Sequence, residues 1–211
     1  MGIFKDRFGP AIYDLMSRRM EREFGSQRRD VLANAHGRVL EIGAGTGLNL
    51  EHYPPEVDEL LVTEPEVGMM RRAKDKAARL GRPMRFVEAS AEQLPFGDGE
   101  FDTVVCTLVL CSVDSQDRAL AEIRRVLKPD GRFLFIEHVR ADDPKLARWQ
   151  DRLERPWKLM VGGCHPNRPT LERIEAAGFQ VDELQRGELP KSPPIVRPTI
   201  AGRASPCPRT D

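Results

Sequence analysis

The chain reads Val39-Leu40-Glu41-Ile42-Gly43-Ala44-Gly45-Thr46-Gly47 near its first quarter, an apolar run interrupted by one acid and opening into glycines at every second position. Such a run predicts a buried strand that ends in a turn whose backbone a ligand can approach closely, because glycine has no side chain in the way and tolerates positive φ. A dinucleotide fingerprint, Gly-x-Gly-x-x-Gly, would place its third glycine at Leu48; here it falls one residue early, at Gly47. A second apolar run, Glu59 to Thr63, ends at Glu64-Pro65, about 20 residues beyond the glycines. An acid at that strand end lies where a nucleoside ribose is held, and one carboxylate can accept from both ribose hydroxyls.

The same alternation of strand and helix continues. Met84 to Glu88 reads as a short third strand and opens into Ala89-Ser90-Ala91-Glu92-Gln93-Leu94-Pro95-Phe96. Phe101 to Leu110 is apolar and β-branched, too short to span a bilayer, and predicts a central fourth strand with Thr107 at its carboxyl end. A helix over Gln116 to Leu127 stops at Lys128-Pro129-Asp130-Gly131, and Arg132 to His138 forms a fifth strand. Lys145 to Val161 is helical until Gly162-Gly163 breaks it, and Pro169 to Ala177 is a short helix closed by Gly178. Phe179 to Glu188 and Val196 to Arg203 predict a terminal hairpin, with Pro198 at a strand start, where its missing N–H costs no ladder bond. Pro10 to Ala35 predicts one or two amphipathic helices broken near Gly25-Ser26.

Taken together and in order, the glycine loop, Glu64, Glu92-Gln93-Leu94-Pro95-Phe96, the fourth strand and Leu127-Lys128-Pro129-Asp130-Gly131 resemble a class I S-adenosylmethionine-dependent methyltransferase over about residues 36 to 140. More narrowly, Val105 to Val113, Glu137-His138-Val139, Gly163-Cys164 and Val196-Arg197-Pro198 resemble the methyltransferase-like protein 7 group, whose members methylate small thiols. The resemblance implies an α/β fold: a single Rossmann-like doubly wound sheet, mostly parallel with a C-terminal antiparallel hairpin, and helices on both faces. It implies residues 1–35 as a helical cap over the cofactor site, 36–204 as the methyltransferase domain and 205–211 as a flexible tail.

S-adenosyl-L-methionine is then the implied cofactor. Gly43, Gly45 and Gly47 would let backbone groups meet its amino-acid end, and Glu64 would accept from its ribose while also suiting a helix start before Pro65. Glu41 either holds the cofactor's amino group or orients the loop. Ser90 stands where this fold usually places an acid against the adenine amino group, so adenine recognition would lean on the Ala91 backbone amide and on Met69 or Met70, which are equally readable as core. The Thr107 carbonyl is a further partner for the amino group. His138 and His165 are the candidate catalytic residues, each also readable as structural.

Composition narrows the partners. With 33 basic and 33 acidic residues the chain has no global charge to draw it to nucleic acid or an anionic membrane, and Arg18-Arg19, Arg28-Arg29 and Arg71-Arg72 read as solvated helix faces. No secretory signal appears, Asp6 breaks the myristoylation pattern that Gly2 invites, and no apolar run approaches the ~18 residues of a spanning helix. Animal members of the thiol-methylating group carry a hydrophobic N-terminal anchor that is not seen here, so a cytoplasmic location is expected, with peripheral membrane contact left open together with oligomeric state. Cys106, Cys111, Cys164 and Cys207 show no metal-site rhythm, and a structural disulfide is not expected in a reducing compartment.

The expected partner is a small-molecule methyl acceptor. A thiol of pKa ~8.5 is partly ionised at neutral pH and intrinsically nucleophilic, so its methylation needs little general-base help, which suits a chain without an obvious acid–base cluster. The rival readings are N-methylation of a phospholipid headgroup, C- or O-methylation of a quinone-like substrate, and a cofactor-binding module without turnover.

Overall fold

The computed structural model describes residues 24–160 and 163–208. Seven strands form one sheet in the order β3-β2-β1-β4-β5-β7-β6. They are β1 (Gly37–Ile42), β2 (Val57–Thr63), β3 (Arg85–Val87), β4 (Phe101–Thr107), β5 (Leu127–His138), β6 (Phe179–Glu188) and β7 (Pro198–Pro206). Strands β1 to β5 pair in parallel, and β7 runs antiparallel to both β5 and β6. The chain moves outward from β1 to β3 and returns to β4 beside β1. The crevice between the carboxyl ends of β1 and β4 is therefore the switch point at which open α/β sheets bind ligands.

Strand alternation divides the core between two faces. Leu40, Ile42, Val104, Cys106, Phe133 and Phe135 pack on one face against Ala119, Leu120 and Ile123 of α3 (Gln116–Val126) and Ile174 of α5 (Thr170–Ala176). Val39, Leu60, Val62, Val105, Leu134 and Ile136 pack on the other, against helical residues 24–32 (α1) and Ala73 and Ala77 of α2 (Val67–Leu80). A fourth helix, α4 (Pro144–Met160), precedes the crossing to α5. The doubly wound sheet with an antiparallel terminal hairpin is the architecture that the sequence implies.

Four details differ from the sequence reading. Helix α1 runs without a break through Gly25 and Ser26. A helical glycine costs only about 1 kcal/mol, and Phe24, Val31 and Leu32 bury one face of this turn in the core. The rest of the expected N-terminal helices, from Pro10 to residue 23, lies outside the described residues. Strand β4 ends at Thr107, because Leu108 takes a left-handed φ of 57°. Strand β5 starts early, at Leu127, whose buried side chain pairs it with Phe101 before the register slips to Thr103 and Arg132. Strand β7 continues to Pro206, two residues into the expected tail, and the Cys207 N–H then donates to the Gly178 carbonyl at 2.8 Å. Among the described residues no helix is long and apolar enough to cross a membrane.

Candidate active site

The turn after β1 is set by backbone conformation. Gly43, Gly45 and Gly47 have φ of 61°, 58° and 82°. A Cβ on Gly43 would strike Val109 at 2.6 Å, whereas a Cβ on Gly45 would meet nothing within 4 Å. The first glycine lets the turn close on the loop after β4, and the second leaves open space directly over the crevice. Glu64, at the end of β2, reaches across to this turn: its Oε2 accepts from the Gly45 N–H at 2.8 Å and its Oε1 from the Glu66 N–H at 3.0 Å. Burial raises the Glu64 pKa, and the two backbone donors pull the other way. Each carboxylate oxygen has a further lone pair, so the acid can hold the loop and still accept from a diol.

Beneath the turn lies a buried polar network that the sequence reading only half anticipated. Glu41 is buried at the end of β1, and its Oε1 accepts from Asn49 Nδ2 at 3.0 Å. The same amide donates to Thr107 Oγ1 at 2.9 Å, and Arg28 Nη1 donates to Asn49 Oδ1 at 2.8 Å and to Thr107 Oγ1 at 3.2 Å. Arg28 was expected on a solvated helix face; only 3% of it is exposed, because α1 turns that side of the helix onto the sheet. Arg29 alongside it is exposed, as expected. Burial pushes the Glu41 carboxyl up to about 7, opposed by the Tyr53 hydroxyl, the Asn49 amide and the Arg28 charge. Glu41 Oε2, Thr46 Oγ1 and the Tyr53 hydroxyl that lies near Glu41 are buried without a direct hydrogen bond. Unpartnered acceptors beside an open glycine turn fit the ammonium end of S-adenosylmethionine, and the remaining Glu64 lone pairs fit its ribose.

The carboxyl edge of β4 and β5 has its own anchor. Glu137 is fully buried and accepts three backbone N–H groups, from Val109 at 2.9 Å and Leu110 at 3.0 Å on Oε1, and from Cys111 at 3.2 Å on Oε2. It fixes the turn that follows the left-handed Leu108. Burial raises its carboxyl to about 7, against those three donors and the Cys106 thiol. Sequence reasoning missed Glu137, Asn49, Tyr53 and the role of Arg28. An acid closing an apolar strand was the available signal for Glu137, and the other three carry none.

The remaining sequence candidates scatter. Thr107 joins the Glu41 network through its hydroxyl. Ser90 is exposed, and its Oγ accepts from the Glu92 N–H at 3.2 Å. Ala91 is buried in the core face shared with Ile42 and Leu94. Met70 is buried and Met69 half-buried on α2. His138 is buried at the end of β5; desolvation pushes its pKa down to about 4, with a hydrogen bond to the Val196 backbone offsetting part of the fall. His165 lies in the crossing between α4 and α5, where its Nδ1 pairs with Glu154 Oε1 at 2.6 Å. Its pKa is lowered by burial and by the charges of Arg168 and Lys158. His165 is committed to Glu154, whereas His138 Nδ1 is buried without a hydrogen-bond partner.

Comparison with known proteins agrees with this geometry. The profile of the family described as "Methyltransferase domain" matches residues 40–135. The chain is 37% identical over 195 residues to human thiol S-methyltransferase TMT1A, covering 86% of this chain and 79% of that protein. It is 30% identical over 191 residues to the ubiquinone/menaquinone biosynthesis C-methyltransferase UbiE of Stutzerimonas stutzeri, covering 79% of this chain and 75% of the relative. The crystal structure of YcgJ from Bacillus subtilis superposes with a TM-score of 0.63 at 21% identity, covering 88% of this chain and 96% of the other, a likeness of fold alone.

Proposed function

We propose that this chain, which belongs to the class I S-adenosylmethionine-dependent methyltransferase family, methylates a small thiol. The observation that carries the acceptor is the 37% identity over 195 residues to a relative named for thiol S-methylation. The methyl donor is S-adenosylmethionine, whose sulfonium supplies an electrophilic methyl group for in-line displacement. The residues of this chain supply alignment and exclusion of water. In this reading Glu64 holds the ribose side, and the Gly43–Gly47 turn with Glu41, Asn49 and Thr107, braced by Arg28, holds the amino-acid end. Residues 1–35 serve as the cap, a role supported by the contact of Arg28 with Thr107.

The protonation chemistry suits a thiol. His165 is paired with Glu154, and burial pushes the His138 pKa down to about 4, which makes it a weak proton acceptor. A thiol that ionises in solution brings its own nucleophile. The four free cysteines are the state a reducing cytoplasm maintains, and that is the compartment we propose.

One second reading has an observation behind it. The UbiE relative carries the name of a C-methyltransferase acting in quinone biosynthesis, and α4 exposes Trp149, Leu153, Leu159 and Met160, an apolar face suited to a lipid-soluble acceptor or peripheral membrane contact. The test is methyl transfer from labelled S-adenosylmethionine by the full-length protein to matched small thiols, amines, phenols and quinols across pH. Turnover of the thiol, rising with pH and levelling near the thiol's own pKa, is expected. Turnover of a quinol with none of any thiol overturns the proposal and leaves the methyltransferase family assignment standing.

A further inference from the structure

Two of the free cysteines come from segments far apart in sequence and meet beside the site. Cys111 is buried in the turn that Glu137 holds, with its Sγ 3.5 Å from the Leu108 carbonyl oxygen and 3.4 Å from Ser112 Oγ. Cys164 belongs to the crossing 163–168, which is laid along that turn. The His165 N–H donates to the Cys111 carbonyl at 2.7 Å, Arg168 Nη1 donates to the Leu110 carbonyl at 2.6 Å, and a Cβ on Gly163 would stand 3.5 Å from the Ser112 carbonyl. Covalent geometry around the 165-to-111 backbone bond then keeps the Cα atoms of Cys111 and Cys164 within about 7.5 Å. Disulfides commonly span ~4.4–6.8 Å between Cα atoms. The two thiols lie near enough for each to shift the acidity of the other.

The pair is chemically unequal. The neighbouring Cys111 thiol is the largest influence on Cys164 and lowers its pKa, with Trp157 and the Arg168 charge acting in the same direction against burial and Glu137. Cys111 is raised by that same contact and by burial. Cys164 is half-buried, so small molecules reach it first, whereas only 2% of Cys111 is exposed. Cys106 is fully buried, which raises its thiol with Glu137 adding to the rise, and Cys207 follows β7 at the Gly178 carbonyl.

We propose that Cys164 and Cys111 are a thiol–disulfide exchange pair, with Cys164 as the attacking and Cys111 as the resolving sulfur. The Cys164 thiolate attacks one sulfur of a low-molecular-weight disulfide; a new S–S bond forms, the old one breaks, and the departing thiolate takes a proton from water. Cys111 then loses its proton to water and attacks the Cys164 sulfur, expelling the second half of the small disulfide as another thiolate, which is protonated in turn. The balance is one small disulfide reduced to two thiols and two protein thiols oxidised to one bridge. The bridge ties the 163–168 crossing to the turn after β4, at the carboxyl edge of the sheet. This inference does not depend on which acceptor is methylated.

Glutathione disulfide is the probe. The full-length protein is exposed to it, acid-quenched, alkylated under denaturing conditions and read by intact mass and by non-reducing peptide mapping. The wild type should protect two of its four thiols, retain no glutathione, and yield a 111–164 cross-linked peptide that a phosphine reverses. Cys111→Ser, or Cys111→Ala should the serine variant misfold, should stop at one glutathionyl group on Cys164. Cys164→Ser should take up none at Cys111, and Cys207→Ser should behave as wild type. Four free thiols after treatment, a stable glutathione adduct on wild-type Cys164, or a bridge using another cysteine would each overturn the proposal.

Discussion

Replacing Glu64 separates holding the loop from holding the cofactor. Its two oxygens accept from the Gly45 N–H at 2.8 Å and the Glu66 N–H at 3.0 Å, with 7% of the residue exposed. Glu64→Ala leaves those donors with little access to water, and each buried donor left unsatisfied costs about 1–3 kcal/mol of stability. A separate loss appears in binding. The carboxylate's free lone pairs are the acceptors for the ribose hydroxyls, and one hydrogen bond to a charged group is worth about 1.5–3 kcal/mol, or roughly 10- to 150-fold in Kd. Glu64→Gln keeps the shape but turns an N–H₂ toward one of the two backbone donors and removes the charge, so it should also weaken binding. The assay is isothermal titration with S-adenosylmethionine at a temperature where circular dichroism shows the variants folded. A lower melting temperature with Kd unchanged within twofold would assign Glu64 to loop bracing alone and refute its place in the cofactor site.

Two further predictions use different observables. Gly45→Ala should cost about 1–2 kcal/mol of stability from its φ of 58°, with no clash inside the protein, and should raise the cofactor Kd roughly tenfold or more because the methyl group enters the open space over the turn; an unchanged Kd would place the cofactor elsewhere. His138 is held neutral down to about pH 4 against an ordinary 6.5, so its contribution is fully present above 6.5 and is lost as pH falls toward 4, by about 3 kcal/mol. Denaturant melts of wild type and His138→Gln at pH 7.5 and 4.5 should therefore show the stability of wild type relative to the variant falling by about 2.5 kcal/mol at the lower pH, and a pH-independent difference would refute the assignment.

The elements were legible where one local pattern sufficed. Strands β1, β4 and β5 are apolar on both faces, as parallel strands between two helical layers must be, and their runs could be read directly. The placement of Glu64 against the glycine turn was legible because an acid closing the strand after such a turn is a local signal with a fixed offset. Arg28 was not, since its partner Thr107 is 79 residues away and nothing in Arg28-Arg29 tells which arginine turns inward. The uninterrupted α1 has the same origin: Gly25-Ser26 has a local preference to break, and the packing of Phe24 and Leu32 overrides it.

The histidines illustrate a further physical limit. His138 was singled out because its residue type can carry a proton, and its neighbour Glu137 entered only within the Glu137-His138-Val139 stretch of the resemblance, with no role assigned to it. Strand alternation settles their roles differently. Glu137 shares its face with Phe133, Phe135 and Cys106, and from there it reaches three backbone donors of the turn after β4. His138 shares its face with Leu134, Ile136 and Thr107, the face that carries the Glu41 network, but burial keeps its ring neutral and the Val196 backbone occupies it. A carboxylate that organises a loop through backbone N–H groups leaves no motif, because those donors are present at every residue. What marks it is a buried charge whose cost must be met by several hydrogen bonds at once, and that requirement becomes visible only when the strand face and the opposing turn are seen together.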